Sequence, residues 1–254
     1  MKDKPFISII TAAFNSEGTI EQTIKSVLCQ QMRDYEYIIV DGGSTDNTIG
    51  IIEQYLPLFE GRMSYSSEPD KGIYNAFNKG CKKAKGKYIW IVNSDDYIES
   101  NALLLIKQIW SKKTGEADPI IMGKINFVDN KGVVIKEFPA NAQLSKTAYE
   151  RNQMINHPAT IVPCWVYEKY GLYDEQFRIA ADKDWFHRIY PQNIPFLYLD
   201  DSLTNMRKGG ASGHLTYRKM VKEQVRFFKN KYGVSFRFIG HMLLWHVRYI
   251  KALL

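Results

Sequence analysis

Short strand-like runs alternate with helical segments through residues 1–100, and that alternation leaves few folds open. Phe6 to Ala12 (FISIITA) is almost wholly apolar, as expected of a parallel strand buried on both faces. Gly18 to Gln31 follows with helical spacing at Ile20, Ile24, Val27 and Leu28. Tyr35 to Val40 reads as a second strand. The helix after it runs to about Leu58, with Ser44, Thr45 or Asp46 as its cap. Met63 to Ser67 reads as a strand, Ile73 to Ala84 as a helix and Lys87 to Val92 as a strand. This order predicts a parallel α/β sheet with flanking helices. In such a sheet ligands bind beyond the carboxyl ends of the strands. Two of the strands end there in acid: Asp41, before Gly42-Gly43-Ser44, and the block Asn93-Ser94-Asp95-Asp96. Adjacent carboxylates at that edge can hold a hard divalent cation through oxygen, and the cation a diphosphate. A polar turn and a helix cap explain either stretch alone. Two such stretches meeting at one edge are harder to explain that way.

The second half changes character. Pro119 to Val128 and Val133 to Phe138 predict a hairpin around Asp129-Asn130-Lys131-Gly132, closing one side of the cleft. Asn156 to Pro163 reads as a strand, Val166 to Tyr170 as a short helix ending at Gly171, and Phe196 to Leu199 as another strand. Ile179 to Arg188 opens a helix with Asp182 or Asp184 near its start, where the macrodipole favours a carboxylate in any case. Lys208 to Gly213 is expected to be a flexible loop. His157 precedes Pro158 in a stretch that can face an acceptor, although a lone histidine is more often structural.

Cys29, Cys81 and Cys164 are scattered without CxxC spacing, which argues against a disulfide framework or zinc site and fits a reducing compartment. No signal peptide is expected from the short polar start, and no uncharged apolar run is long enough to span a membrane as a helix. The net charge of +7 is concentrated. Residues 214–254 hold nine Lys/Arg and one acidic residue, and the remainder is close to neutral. Leu215 to Tyr232 has helical spacing, Gly233 breaks it, and Ser235 to Leu254 is apolar and aromatic with basic interruptions. That pattern suits an amphipathic helix lying in an anionic membrane interface, or equally a helix packed on the body. Nucleic acid is not expected as a partner, because no recognised module accompanies the basic tail.

Five ordered blocks resemble the family 2 glycosyltransferases, inverting nucleotide-sugar transferases with the GT-A fold: ISIITAAFN, IIVDGGSTDNT, SEPDKGIYNAFNKG, KYIWIVNSDD and IAADKDWFHRI. The likeness covers about residues 6–210 and is strongest to bacterial transferases of capsule, lipopolysaccharide or exopolysaccharide synthesis. It implies a GT-A domain over residues 1–213, with a nucleotide-sugar half at 1–100 and an acceptor half at 101–213, followed by a basic amphipathic appendage at 214–254. The resemblance places Ala12 and Phe14 in the nucleoside segment, Phe14 stacking on the base, and Asp41 as the carboxylate on the base. Asp70, Lys71 and Asn78 fall near the ribose and diphosphate. Asn93 and Ser94 fall on the donor, and Asp95, supported by Asp96, is the expected Mg²⁺ or Mn²⁺ ligand. Many relatives have Asp-Asp-Gly-Ser where this chain has Asp41-Gly42-Gly43-Ser44, and Asn93 replaces the first Asp of the DxD motif. Asp182 stands where the family places its base, with Ala181 in place of the usual Glu and Asp184 as the nearby alternative.

The function so implied is metal-dependent, inverting transfer of a hexosyl or N-acetylhexosaminyl group from a UDP-sugar. The acceptor is a hydroxyl of a growing or lipid-linked glycan at the cytoplasmic membrane face. Two rivals remain at this point. A sugar-phosphate nucleotidyltransferase also uses an α/β sheet and carboxylate-bound metal, but Thr11 to Gly18 lacks a basic activating loop. An inactive nucleotide-sugar-binding assembly protein is compatible with Asn93 and Ala181.

Overall fold

The structure, a computed structural model, describes residues 4–151, 153, 156–207 and 217–253, and of 236, 238 and 248–253 the backbone alone. The first hundred residues follow the expected order: β1 (Ile7–Ala13), α1 (Ile20–Leu28), β2 (Tyr35–Asp41), α2 (Thr48–Tyr55), β3 (Met63–Ser67), α3 (Ile73–Lys83) and β4 (Tyr88–Ile91). β1 lies between β2 and β4, and β2 pairs β3, all in parallel. The remaining elements are β5 (Tyr97–Ile98), α4 (Ala102–Ser111), β6 (Ile120–Val128), β7 (Val134–Phe138), α5 (Ala142–Glu150), β8 (Thr160–Pro163), α6 (Cys164–Tyr170), α7 (Ala181–Ile189), β9 (Phe196–Arg207), α8 (Tyr217–Tyr232) and α9 (Phe236–Leu253). One mixed sheet runs β3-β2-β1-β4-β8-β6-β9-β5, with β7 paired to β6 as the expected hairpin. β8 is antiparallel to both β4 and β6, which in turn pairs β9 in parallel.

Strand residues alternate between two cores, which is why the runs are continuously apolar. Ile7, Ile9, Tyr37, Ile39, Tyr88 and Trp90 face one layer, and Ile10, Ile38, Val40, Ile89 and Ile91 face the other. α3 presses closely on the second face. A Cβ on Gly80 would lie 2.4 Å from Cγ2 of Ile10, so only glycine allows that approach. β9 is far longer than the expected Phe196 to Leu199, because Asp200 and Asp201 interrupt the apolar pattern without ending the strand. β5 and α5 have no counterpart in the sequence pattern, and Asn156 to Ala159 leads into β8 through a single 3₁₀ turn. The loop expected at 208–213 lies outside the described residues.

The basic tail has two faces. Phe227 and Phe228 of α8 are fully buried in the second core. α9 packs on α8, with His241 stacked on Tyr232 at 4.5 Å and Met242 and Trp245 against the same core. Its outer side exposes Ile239, Leu243, Leu244 and Val247. Among the described residues no helix is long and apolar enough to cross a membrane.

The α7–α8 contact carries a buried neutral histidine. Nδ1 of His187 accepts from Nζ of Lys231 at 2.8 Å, so Nε2 carries the proton and donates to the Gln153 carbonyl at 2.9 Å. Burial, then the Lys231 and Lys183 ammonium groups, push its pKa down to about 3. A folded-state pKa below the unfolded value of about 6.5 means that this stability is fully present above pH ~6.5 and drains as the pH falls toward the folded value. Urea denaturation between pH 6.5 and 5 should therefore show stability falling by up to about 1.4 kcal/mol per pH unit from this group. His187→Gln, which keeps one donor and one acceptor, should lose most of that slope.

Candidate active site

A cleft of about 770 Å³ opens at the carboxyl ends of β1 and β4. β1 ends between β2, reached next in the chain, and β4, reached last, so the crevice sits at a topological switch point. The loops leaving these strands are locked together. Oδ1 of Asn15 accepts from the Thr45 amide at 2.9 Å, and the Asn15 amide donates to Oγ of Ser44 at 2.8 Å. The hydroxyls of Ser16 and Ser94 lie 2.9 Å apart, and Oγ1 of Thr23 donates to the Asp96 carbonyl at 2.6 Å.

Of the expected donor residues, Ala12, Phe14, Asp70, Asn93 and Ser94 line the cleft. Phe14 is 61% exposed, an aromatic face offered at the mouth. Three do not reach the lining. Asp41 is completely buried, and its carboxylate accepts from the Gly43 and Ser44 amides at 2.9 Å each, from Oγ of Ser67 at 2.7 Å and from Oγ of Ser44. It holds the 42–44 turn in shape and has no face left for a base. Asn78 is likewise consumed: Nδ2 donates to the Tyr173 carbonyl and to Glu175, and Oδ1 accepts from the Tyr173 amide. It pins α3 to the loop before α7. Lys71 is exposed outside the cleft; its carbonyl accepts from Nη1 of Arg178 at 2.8 Å and its amide donates to Oδ1 of Asn75 at 3.4 Å. Asp70 lines the cleft beside Phe14. A Cβ on Gly42 would fall 2.6 Å from Oδ2 of Asp70 and 3.4 Å from Cδ2 of Phe14, so the absent side chain at 42 makes room for that carboxylate beside the ring.

Asp95 and Asp96 both line the cleft but differ in role. Asp96 is 2% exposed. Its Oδ2 accepts from Nδ2 of Asn93 at 2.9 Å and its Oδ1 from the Arg207 amide at 3.1 Å. Burial and then the Asp95 charge push it up to about 7. Burial also raises Asp95, whose carboxylate has no side-chain hydrogen-bond partner among the described residues. Two like charges crowded at a buried edge favour a counter-cation, and their hard oxygens suit Mg²⁺ or Mn²⁺. Among the described residues no three His, Cys, Asp or Glu side chains cluster, so a cation here would take its remaining oxygens from a ligand or water.

Across the cleft, Asp182 sits in the first turn of α7. Its Oδ1 accepts from the Tyr74 hydroxyl at 3.2 Å and the Lys183 amide at 2.7 Å. Asp184 points elsewhere, accepting from Nδ2 of Asn230 on α8 at 3.1 Å, so of the two candidates only Asp182 faces the cleft. His157 also lines it, with Nε2 3.0 Å from the Tyr173 hydroxyl, and burial lowers its pKa. Arg178 and Arg207, Tyr74, and an apolar wall with Phe127 and Phe138 are lining residues that the sequence reading passed over. Arg207 escaped because the strand that delivers it was read as ending at Leu199.

The fold has close counterparts among solved structures. S. aureus TarS 1–349 in complex with UDP-GlcNAc superimposes with a TM-score of 0.70 at 20% identity, over 88% of this chain and 66% of that one. In the longer TarS structure the matched share is 39%. Mannosyltransferase PcManGT from Pyrobaculum calidifontis, in complex with GDP-Man and Mn²⁺, gives 0.62 at 16%, over 89% and 64%. The mixed sheet with its carboxylate-bearing switch-point cleft is thus that of a GT-A glycosyltransferase. The chain belongs to glycosyl transferase family 2, whose model matches residues 8–174, more than half of its length. It is 27% identical over 194 residues to a PGL/p-HBAD biosynthesis glycosyltransferase of Mycobacterium bovis, covering 73% of this chain and 70% of that one. It is also 38% identical over 130 residues to a poly(ribitol-phosphate) beta-glucosyltransferase of Bacillus spizizenii, covering 50% and 20%. Family membership decides against the nucleotidyltransferase.

The position of Asp41 has a measurable consequence. Removing it strands four donors in the 42–44 turn and β3, so Asp41→Ala should lower stability by at least about 3 kcal/mol in chemical denaturation. A carboxylate that merely faced a ligand would cost only about 0.5 kcal/mol or less.

Proposed function

We propose that the protein transfers a sugar, with inversion, from a UDP-sugar to a hydroxyl of a growing or lipid-linked glycan of a bacterial surface polysaccharide. The observation that carries the reading is that Asp95 and Asp182 face one cleft from opposite halves of the chain. Residues 1–100 then hold the donor and 101–213 the acceptor. Phe14 supplies a stacking face for the base, and the base contact expected of Asp41 passes to Asp70 beside it. Asn93 and Ser94 complete the donor wall. The TarS complex with UDP-GlcNAc supports a nucleotide-sugar donor, and the B. spizizenii relative, a poly(ribitol-phosphate) beta-glucosyltransferase, supports sugar transfer to a hydroxyl-bearing polymer.

Asp95, with Asp96 behind it, would hold Mn²⁺ or Mg²⁺. A bound divalent cation supplies Lewis-acid neutralisation of the departing diphosphate. The chain's own groups do the rest. Asp182 accepts the proton of the attacking hydroxyl at its carboxylate, and Tyr74 and the Lys183 amide fix Oδ1 so that Oδ2 is left for that proton. The cleft walls hold the anomeric carbon in line with the hydroxyl. A single displacement assisted by a single base inverts the anomeric centre.

Calorimetric titration with UDP, GDP and TDP, with and without Mn²⁺, should show UDP binding that needs the metal and disappears in Asp95→Ala. Asp182→Asn should bind UDP as wild type does yet transfer at least about a hundredfold more slowly, in line with loss of a general base. Binding without transfer by the wild-type chain across UDP-sugars would leave a nucleotide-sugar-binding protein.

The same reading places the enzyme peripherally on the inner face of the cell membrane. The outer stripe of α9 is apolar, and residues 214–254 carry nine Lys/Arg. Anionic lipid adds about 1 kcal/mol per basic residue near the headgroups. The full chain should sediment with phosphatidylglycerol vesicles, less so at high salt, and the triple variant Ile239→Ser, Leu243→Ser, Leu244→Ser should bind at least about tenfold more weakly. Equal binding by the variant would contradict membrane docking through this face.

A further inference from the structure

Residues 214–254 contain a single acidic residue, Glu223, in a stretch otherwise basic and apolar. It is not a surface charge balancing its neighbours. Glu223 is 7% exposed, and among the described residues no ion pair holds it. Its carboxylate instead takes three consecutive backbone amides of the segment leading into α7. The Arg178 amide donates to Oε1 at 3.0 Å and to Oε2 at 3.1 Å, and the Ile179 and Ala180 amides donate to Oε2 at 3.2 Å each.

Among the described residues those amides have no other acceptor. Ala180 stands at the N-cap of α7, and alanine carries no side-chain acceptor with which to cap a helix. A carboxylate from a helix more than forty residues away instead takes the amides just ahead of the first turn, where the α7 dipole also favours a negative charge. The rest of α8 is keyed to α7 at helical spacing. Gln224 accepts from Nζ of Lys183 at 2.8 Å, Asn230 donates to Asp184, and Lys231 reaches His187.

The segment so held belongs to the cleft. Arg178 and Ile179 line it, and Asp182 follows two residues after the last captured amide. The guanidinium of Arg178 continues the connection by donating to the Lys71 carbonyl, beside Gly72, whose amide is bound by Oδ1 of Asp70. One buried carboxylate therefore stands behind both the proposed base and the loop that carries Asp70.

We propose that Glu223 is a positioning residue for glycosyl transfer, so that α8, besides supporting α9, acts on the cleft through this one side chain. This rests on Asp182 acting as the base. A carboxylate spread over three amides sets the rotation of the first turn of α7 and with it the direction of the Asp182 side chain. Glutamine at 223 keeps the shape but turns one of the two acceptor oxygens into a donor facing other donors.

The test is steady-state transfer by the full-length protein, with calorimetric UDP affinity measured alongside, for wild type, Glu223→Gln, Asp182→Asn, the double variant and Gln224→Ala. Glu223→Gln should lower kcat at least about tenfold while UDP affinity stays within about twofold, a split that points to lost transition-state alignment. Gln224→Ala loosens the same helix contact without touching residues 178–180 and should leave kcat within about twofold. In the Asp182→Asn background Glu223→Gln should add less than about twofold, since both act through one group. The proposal is overturned if Glu223→Gln keeps wild-type kcat, or if Gln224→Ala lowers kcat as much as Glu223→Gln does. Transfer by Asp182→Asn at the wild-type rate would instead overturn the base assignment and with it the route by which Glu223 acts.

Discussion

The cleft exists because β1 is held in parallel register between β2 and β4. Pairing of Ala13 with Asp41 and of Ile10 with Ile91 brings the three strand exits out at one level. Both faces of these strands are buried, so a slip by one residue would exchange the two cores and is strongly opposed. The exit loops are then tied to one another by Asn15, Ser16, Thr23, Ser44 and Ser94, short polar side chains that bond to neighbouring backbone and to each other. Residues far apart in the chain become one rigid rim, which is the form of support a binding site needs.

Electrostatics set the division of labour on that rim. Asp96 is buried and committed to Asn93 and the Arg207 amide, and the carboxylate beside it is raised by the same burial. Arg207 stays close, its Nη1 donating to the Asp95 carbonyl at 2.8 Å, but it does not pair with the carboxylate of Asp95. The opposite wall is arranged differently. Asp182 enters at the start of a helix, where its charge is favoured, and takes bonds on one oxygen only. The proposed cation ligand thus faces the proposed base across one cleft.

The sequence pattern located the exits of β1 to β4 and the start of α7, because buried parallel strands and helix starts leave strong local signals; the two-residue β5 was too short to leave one. The pattern brought Asp95 and Asp96 to the sheet edge, and the family resemblance added Phe14, Asp70 and Asp182; all five line the cleft. Asp41 and Asn78, to which the resemblance assigned donor contacts, are bonded within the protein and do not line the cleft; a side chain at a strand exit or on a helix can turn outward to a ligand or inward to the protein, and spacing alone does not distinguish the two. Gly42 was read as turn chemistry, whereas its missing side chain admits Asp70 from another loop. The tail was legible as basic and amphipathic, but its two readings were not exclusive: Phe227, Phe228 and Trp245 pack inward while Leu243 and Leu244 face out. Glu223 could have been singled out as the lone acid in a basic stretch, although its partners are backbone amides that no composition reveals.

The central claim is that the β1–β4 edge holds the donor diphosphate through a cation on Asp95, within reach of Asp182. The most direct test is a crystal structure of the protein with UDP and Mn²⁺, using anomalous diffraction from manganese. The account predicts one anomalous peak bonded to an Asp95 oxygen and to the diphosphate, with the uracil ring against Phe14 and Asp182 facing the end of the diphosphate. A nucleotide bound elsewhere, or manganese absent from Asp95 while UDP occupies the cleft, would contradict it.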